Sequence, residues 1–183
     1  MRSQRGMTLV ELLIGTALLV GGGGALVVGM QYSRMQSSYL ADYQVTMNAV
    51  HGKLEELSST DLTVLWTDPA YADARTVQGQ CMGLGEDDNC NNVLDAGEDE
   101  NNNGVLDEPL AGARLHVRIQ EAPVGATNPP LLTLHVAACW QSRGRRLSED
   151  LNCNGRLDGG EDINANGWDD SPAMADTRLG VGG

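Results

Sequence analysis

The chain has 183 residues, a net charge of −13 and a sequence pI of about 4.4, which argues against nucleic acid as a partner. Its length allows one domain beyond an N-terminal helix. It contains no Phe, 4% aromatic residues and 23 Gly, so we expect a small hydrophobic core that is stabilised by other means as well.

The first thirty residues contain an apolar segment with one acidic residue inside it. Residues 7–30 are nearly all apolar and are numerous enough to cross a bilayer as a helix, and Glu11 is their single charge. A carboxylate at the centre of a membrane costs about 2.5–3.5 kcal/mol on insertion scales, so Glu11 is expected to have a function and a positive partner. Arg2 and Arg5 precede the segment and are expected to stay cytoplasmic.

Gly6 distinguishes this N-terminus from a secretory signal peptide, whose cleavage site follows the apolar part. The stretch GMTLVELLIG, residues 6–15, resembles the class III leader of type IV pilins and type II secretion pseudopilins, although Met7 stands where that family usually has phenylalanine. The resemblance implies that residues 1–6 are a leader, that prepilin peptidase cuts between Gly6 and Met7, and that the Met7 amine is methylated. Glu11 would then neutralise the Met7 amine of a neighbouring subunit in the filament core. A plain signal anchor is the alternative.

One long helix is predicted from Met7 to about Leu57, roughly 75 Å in length. Residues 7–30 are its transmembrane or filament-core half, and residues 31–60 are its amphipathic half. The apolar stripe of the second half recurs every three or four residues and comprises Tyr32, Met35, Tyr39, Tyr43, Met47, Val50, Leu54 and Leu57. Four glycines at 21–24 either permit close helix contacts or mark a segment that unwinds on assembly.

Residues 61–183 are predicted to form a globular head. Ala113–Glu121 and Leu131–Gln141 alternate apolar and polar residues, as half-buried strands do, and the residues 123–130 between them favour a hairpin loop. The predicted fold class is α+β, with the long N-terminal helix packed on a small antiparallel sheet, as the pilin resemblance also implies. Residues 174–183 are predicted to be a frayed tail. The histidines His51, His116 and His135 are interpreted as ordinary surface or sheet residues.

Four twelve-residue loops occur in two tandem pairs, called here the first module (residues 86–108) and the second module (residues 149–170). Oxygen-bearing side chains at positions 1, 3, 5 and 9, glycine at position 6 and glutamate at position 12 match the EF-hand calcium loop. Position 7 contributes its backbone carbonyl. The predicted calcium ligands are Asp87, Asn89, Asn91, Val93, Asp95 and Glu98 in loop 1; Asp99, Asn101, Asn103, Val105 and Asp107 in loop 2; Asp150, Asn152, Asn154, Arg156, Asp158 and Glu161 in loop 3; and Asp162, Asn164, Asn166, Trp168 and Asp170 in loop 4.

The loops are not equally complete. Loop 1 has Asn92 at position 6, where asparagine tolerates a left-handed backbone. Loops 2 and 4 have Leu110 and Ala173 at position 12, so we expect them to bind more weakly or to borrow an oxygen from another loop. The tandem arrangement resembles, as a motif and not as a fold, the calcium loops of thrombospondin type 3 and dockerin-like repeats.

The charge of the modules also favours bound cations. They hold sixteen of the chain's 25 acidic residues, which would repel one another if they were not neutralised. A polar low-complexity loop is the alternative. Because asparagine ligands lower the charge of a site, we expect weak calcium sites of about 10⁻⁴–10⁻³ M, suited to extracellular calcium.

Four cysteines allow three disulfide pairings. Cys90 and Cys153 occupy position 4 of loops 1 and 3, where side chains face away from the ion, so the predicted pairs are Cys90–Cys153 and Cys81–Cys139. Zinc is the alternative, but the sequence has no CxxC pair. Disulfides imply an oxidising, extracytoplasmic location for the head.

The sequence contains no nucleophile motif and no phosphate loop, so a non-enzymatic subunit is predicted. The long calcium loops favour a minor pilin of the PilV or PilW type, which helps to initiate or cap assembly at the pilus tip and serves adhesion and twitching motility. The expected partners are other minor and major pilins, prepilin peptidase, the inner membrane before assembly and a tip adhesin. A type II secretion minor pseudopilin and an unprocessed, membrane-anchored calcium-dependent adhesin are the alternatives.

Overall fold

A computed structural model describes residues 9–99, 101–110, 112–121, 131–142 and 144–180. The chain divides into two compact units, one that ends at Ala41 and one that starts at Asp42. The predicted leader, Met7 and the predicted hairpin loop at residues 123–130 lie outside the described residues.

The prediction of one long N-terminal helix is confirmed by α1, Leu9–Ser59, which runs through the four glycines without a break. Along the predicted apolar stripe, Val50 and Leu57 are fully buried, whereas Tyr32 and Met35 are exposed. The packing that the stripe predicts is therefore present in its C-terminal part.

Two aspartates after α1 begin short helices that the sequence did not predict. Asp61 accepts a hydrogen bond from the Thr63 N–H (2.7 Å) and caps α2, Leu62–Thr67. Asp68 caps a 3₁₀ turn at Pro69–Tyr71 in the same way. Short side chains of this type satisfy the free N–H groups of a helix N-terminus.

An antiparallel sheet forms the centre of the head, with the strand order β1-β2-β3-β6. Its strands are β1 (Gln80–Gly83), β2 (Arg114–Glu121), β3 (Leu132–Cys139) and β6 (Met174–Leu179), and a separate short hairpin consists of β4 (Gln141–Ser142) and β5 (Arg145–Arg146). Both predicted strands are confirmed. The frayed tail predicted for 174–183 is wrong over 174–179, because β6 pairs with β3 along its whole length.

One face of the sheet carries the apolar core. Leu115, Val117 and Ile119 of β2 lie opposite Ala138, Val136 and Leu134 of β3, and all six are buried. Tyr43 of α1 contacts Trp140 on this side, with ring centroids 6.5 Å apart. Each large apolar side chain buried here contributes about 1.5–3 kcal/mol, so this face binds helix and sheet into the α+β fold that the sequence predicts.

The two modules cover the opposite face of the sheet. Gly155 of loop 3 lies against Cys81 of β1, and the carbonyl of Asp169 in loop 4 lies 3.0 Å from Nε2 of His135 in β3. His116 and His135 are therefore sheet residues, as interpreted, but they are buried between sheet and loops, at 0% and 2% exposure. In this head, which is poor in aromatic residues, the loops thus form a second layer that packs on the sheet.

Candidate functional site

The N-terminal residues that the leader resemblance singles out are only partly described. Gly6 and Met7 lie outside the described residues, and Glu11 lies in the first turn of α1. α1 contains an 18-residue window with a mean hydropathy of 2.0 in which no residue is buried, so it is long and apolar enough to cross a membrane.

The four loops share one pattern of backbone hydrogen bonds. In each loop, the carboxylate at position 1 accepts from the N–H groups of positions 5 and 6 at 2.7–3.2 Å. The position-5 asparagine Oδ1 in turn accepts from the N–H of position 7 at 2.6–2.8 Å. The chain thus wraps around the side chain at position 1 in all four loops.

The side chains at positions 3, 5 and 9 converge in every loop. The amide groups at positions 3 and 5 both donate to one carboxylate oxygen at position 9, at 2.5–3.0 Å. In loop 1 these bonds come from Asn89 and Asn91, and they lower the pKa of Asp95. The predicted ligand side chains of each loop are therefore brought together, as the sequence register requires.

Backbone conformation repeats as well. Position 6 has a positive φ in all four loops, at Asn92, Gly104, Gly155 and Gly167. Position 4 also has a positive φ, and there the residues are Cys90, Asn102, Cys153 and Ala165. The sequence predicted the turn at position 6 but gave no sign of the left-handed residue at position 4, because none of the four residues there is glycine.

Position 12 shows how the incomplete loops are closed. In loops 1 and 3, Glu98 and Glu161 each accept a hydrogen bond from the position-9 N–H, both at 2.9 Å. Loop 2 has no glutamate at its own position 12, yet Oε2 of Glu86 lies 3.0 Å from the equivalent N–H, that of Asp107. In loop 4, Oε2 of Glu149 lies 3.5 Å from the N–H of Asp170.

Neither Glu86 nor Glu149 was predicted as a site residue. The available signal was the Glu-Asp pair that begins each module: Glu86-Asp87 repeats as Glu98-Asp99, and Glu149-Asp150 repeats as Glu161-Asp162. In each module the glutamate before the first loop occupies the place of the glutamate that the second loop lacks.

The modules differ in how their buried carboxylates are balanced. Asp87 is 1% exposed and pairs with Arg114 at 2.9 Å, and Arg114 also binds Glu108 at 2.6 Å. Asp150 is fully buried, and no basic side chain pairs with it in the described part of the chain. Burial, together with the charges of Asp169 and Glu161, raises its pKa to about 6.

The predicted disulfides are wrong. The structure pairs Cys81 with Cys90 and Cys139 with Cys153, so each module is bonded to the sheet and not to the other module. Cys81 lies on β1 and Cys139 on β3, on opposite sides of β2, and two strand spacings put them about 10 Å apart. That is beyond the roughly 7 Å Cα separation that a disulfide can bridge.

Residues of both modules nevertheless line one cavity. Cys90 and Cys153 line one cavity of about 370 Å³ together with Arg114, Asn152 and Asn154. The Leu157 N–H in loop 3 donates to the Gln78 carbonyl just before β1 at 2.8 Å.

His116 illustrates the polar layer between sheet and loops. Its Nε2 lies 3.0 Å from the Gln78 carbonyl, and its ring lies edge-on to His135 with centroids 6.1 Å apart. Burial lowers its pKa to about 4, so the ring is neutral at pH 7.

The predicted calcium ligands of each loop combine carboxylate groups with asparagine amides. Within the described ranges, no group of three or more His, Cys, Asp or Glu side chains is placed to hold a metal. The converging side chains of each loop are carboxylates and asparagine amides. Their oxygens are of the kind that calcium takes in flexible geometry, whereas zinc and copper prefer nitrogen and sulfur ligands.

Comparison with family models gives a match at the N-terminus. The family model described as the prokaryotic N-terminal methylation motif matches residues 1–20. No curated protein and no solved structure matches the chain.

Proposed function

We propose that this chain, a non-enzymatic subunit of the pilin and pseudopilin type by its methylation motif and its helix-on-sheet fold, is a minor pilin of the PilV or PilW type. The motif implies processing by prepilin peptidase, residence in the inner membrane and assembly with other pilins. The finer proposal is that this subunit helps to initiate or cap the filament and presents its head at the tip.

The observation that carries the minor role is the construction of the head. Two modules of repeated loops pack against one face of the sheet, and a disulfide attaches each of them to a strand. Such a head requires oxidation and, as proposed below, calcium. These requirements suit a subunit made in few copies better than one that fills the length of a filament.

A comparison of filaments and cells tests this role. Quantitative mass spectrometry of sheared filaments is expected to find the chain at a small fraction of the major subunit, and deletion of its gene is expected to reduce pilus number and twitching. A stoichiometry near that of the major subunit would contradict the minor role. A deletion that abolishes protein secretion and leaves pili intact would identify a type II secretion pseudopilin instead.

We further propose that the modules bind calcium. The residues that would hold it are those at positions 1, 3, 5, 7, 9 and 12 of loops 1 and 3, and at positions 1, 3, 5, 7 and 9 of loops 2 and 4. Three features support the fit: the convergence of oxygen-bearing side chains in all four loops, the left-handed residue at position 6, and the buried Asp150, which has no basic partner among the described residues. When bound, the ion would supply positive charge to the carboxylates of each loop.

Chelation tests the calcium proposal. At 1 mM calcium, a site with a Kd of about 10⁻⁴ M stabilises the folded head by about 1.4 kcal/mol, because the ion binds the folded state alone. Heat denaturation of the full chain in detergent, followed by near-UV circular dichroism, is expected to show a lower Tm in EDTA that calcium restores and magnesium does not. An identical Tm with calcium and with EDTA would reject the proposal.

A further inference from the structure

Each module closes on itself through the glutamate that precedes its first loop. The Glu86 N–H donates to the Asp107 carbonyl at 3.2 Å, and Oε2 of Glu86 lies 3.0 Å from the Asp107 N–H. Glu149 repeats both contacts with Asp170, at 3.0 and 3.5 Å. The beginning of each module is thus joined to position 9 of its second loop.

The contact at position 9 is the same one that the complete loops make. Glu98 and Glu161 reach the position-9 N–H of their own loops, and Glu86 and Glu149 reach the equivalent N–H of loops 2 and 4. Four glutamate carboxylates therefore occupy equivalent positions beside the position-9 N–H groups. Two of them, Glu86 and Glu149, precede the position-9 residue that they contact by twenty-one residues.

The surroundings of Glu149 are strongly acidic. Its carboxylate lies beside Asp170, which is position 9 of loop 4. A second observation concerns Asp169, the neighbour of Asp170. Asp169 is fully buried, and its Oδ2 has no hydrogen-bond partner among the described residues, while Oδ1 accepts from Ser148 and from the Asp150 N–H. The second module thus buries two carboxylates, those of Asp150 and Asp169, and neither pairs with a basic side chain among the described residues.

We infer that Glu86 and Glu149 are the position-12 ligands of loops 2 and 4, so that each module is a closed unit of two complete sites. The inference rests on the proposed calcium function. In this arrangement loop 1 uses Asp87 and Glu98, and loop 2 uses Asp99 and Glu86, so each Glu-Asp pair serves both sites of its module. Under this inference loops 2 and 4 each have a glutamate ligand, so the absence of a glutamate at their own position 12 does not weaken their calcium binding.

Trp168 provides a selective readout of loop 4. It is position 7 of that loop, so its indole lies next to the predicted ion position and can transfer excitation to a bound terbium ion. Trp66 and Trp140 lie outside the loops. Titration of the full chain in detergent with Tb³⁺, excited through tryptophan, therefore measures the affinity of loop 4, and competition with Ca²⁺ shows that both ions use one site.

The test compares Glu149→Gln with Asp88→Asn. Both variants remove one negative charge, but Asp88 is an exposed residue at position 2 of loop 1. Because changes outside the ligand shell already weaken metal binding about 10–100-fold, Glu149→Gln is expected to weaken terbium binding at loop 4 at least tenfold, and Asp88→Asn is expected to leave it unchanged.

The outcomes separate this inference from the proposed function. If the wild-type protein gives no sensitised terbium emission, the calcium function itself fails. If it binds terbium and Glu149→Gln binds equally well, only the role of Glu149 fails. If near-UV circular dichroism shows that Glu149→Gln does not fold, the Glu86→Gln variant is used in its place. Calorimetric titration with calcium is then expected to show that one site of the first module binds at least tenfold more weakly. Unchanged calcium binding would overturn the inference.

Discussion

Gly155 in loop 3 is where the second module contacts β1 most closely. A Cβ added there would lie 2.3 Å from Sγ and 2.7 Å from Cα of Cys81, which β1 and the disulfide hold in place. The residue also has a φ of 71°, which costs a non-glycine residue about 1–2 kcal/mol. The overlap adds about 1–3 kcal/mol, as overpacking of a close contact does. Gly155→Ala is therefore expected to destabilise the head by about 2–5 kcal/mol.

Gly104 is the matched control. It occupies position 6 of loop 2, has a φ of 73° and donates the same hydrogen bond to position 1, but an added Cβ would meet nothing within 4 Å. Gly104→Ala thus pays the backbone cost alone, about 1–2 kcal/mol. The difference between the two variants, about 1–3 kcal/mol, measures the contact between the second module and β1.

Urea denaturation of the full chain in detergent, followed by tryptophan fluorescence, provides the free energies of unfolding. Trp140 is fully buried and reports the loss of the head's core. Equal destabilisation by Gly155→Ala and Gly104→Ala would refute the reasoning, because it would mean that loop 3 does not pack on Cys81. The comparison is made in EDTA so that metal affinity does not contribute.

Three further results are expected. Non-reducing peptide mapping should recover Cys81–Cys90 and Cys139–Cys153; a Cys90–Cys153 peptide would contradict the attachment of each module to its own strand, and a Cys81–Cys139 peptide would contradict the strand order of the sheet. Glu11→Ala should leave the chain inserted in the membrane but lower its recovery in sheared filaments, because the apolar filament core would lose the carboxylate that we predict neutralises the Met7 amine; normal recovery would count against that pairing. The neutral, buried His116 should cost the head stability as the pH falls from 6.5 toward 4, by up to about 3 kcal/mol, since the unfolded state binds the proton more tightly there. Asp150, whose pKa is raised to about 6, has the opposite effect and stabilises the head as the pH falls. The measurement is therefore the difference in the free energy of unfolding between wild type and His116→Gln, taken in EDTA at each pH. Parallel pH profiles of the two proteins would reject this role for His116.

The elements that local sequence determines were predicted well. α1 follows from a long apolar run and a stripe at helical spacing, and β2 and β3 follow from strict alternation. The loops belong to the same class, because positions 1 to 9 lie within nine consecutive residues and make their bonds with one another. The twelve-residue register was therefore enough to name the side chains that converge.

Features that depend on distant residues were not predictable in the same way. Glu86 meets Asp107 across twenty-one residues, and its role is visible only once the two loops of a module are folded against each other. The disulfides depend on the order of the strands, which places β2 between Cys81 and Cys139. β6 escaped notice because an edge strand with Asp176 and Arg178 lacks the apolar alternation of a central one.

The N-terminus of the mature protein tests the account most directly. The methylation motif over residues 1–20, within which the apolar helix begins, implies processing by prepilin peptidase, and the predicted cut removes residues 1–6. Mass spectrometry of the chain, purified from its host's membranes or sheared filaments, is expected to find Met7 as an N-methylated first residue. Recovery of the intact chain from Met1 in a host with an active prepilin peptidase would contradict the account and leave a membrane-anchored protein that does not assemble.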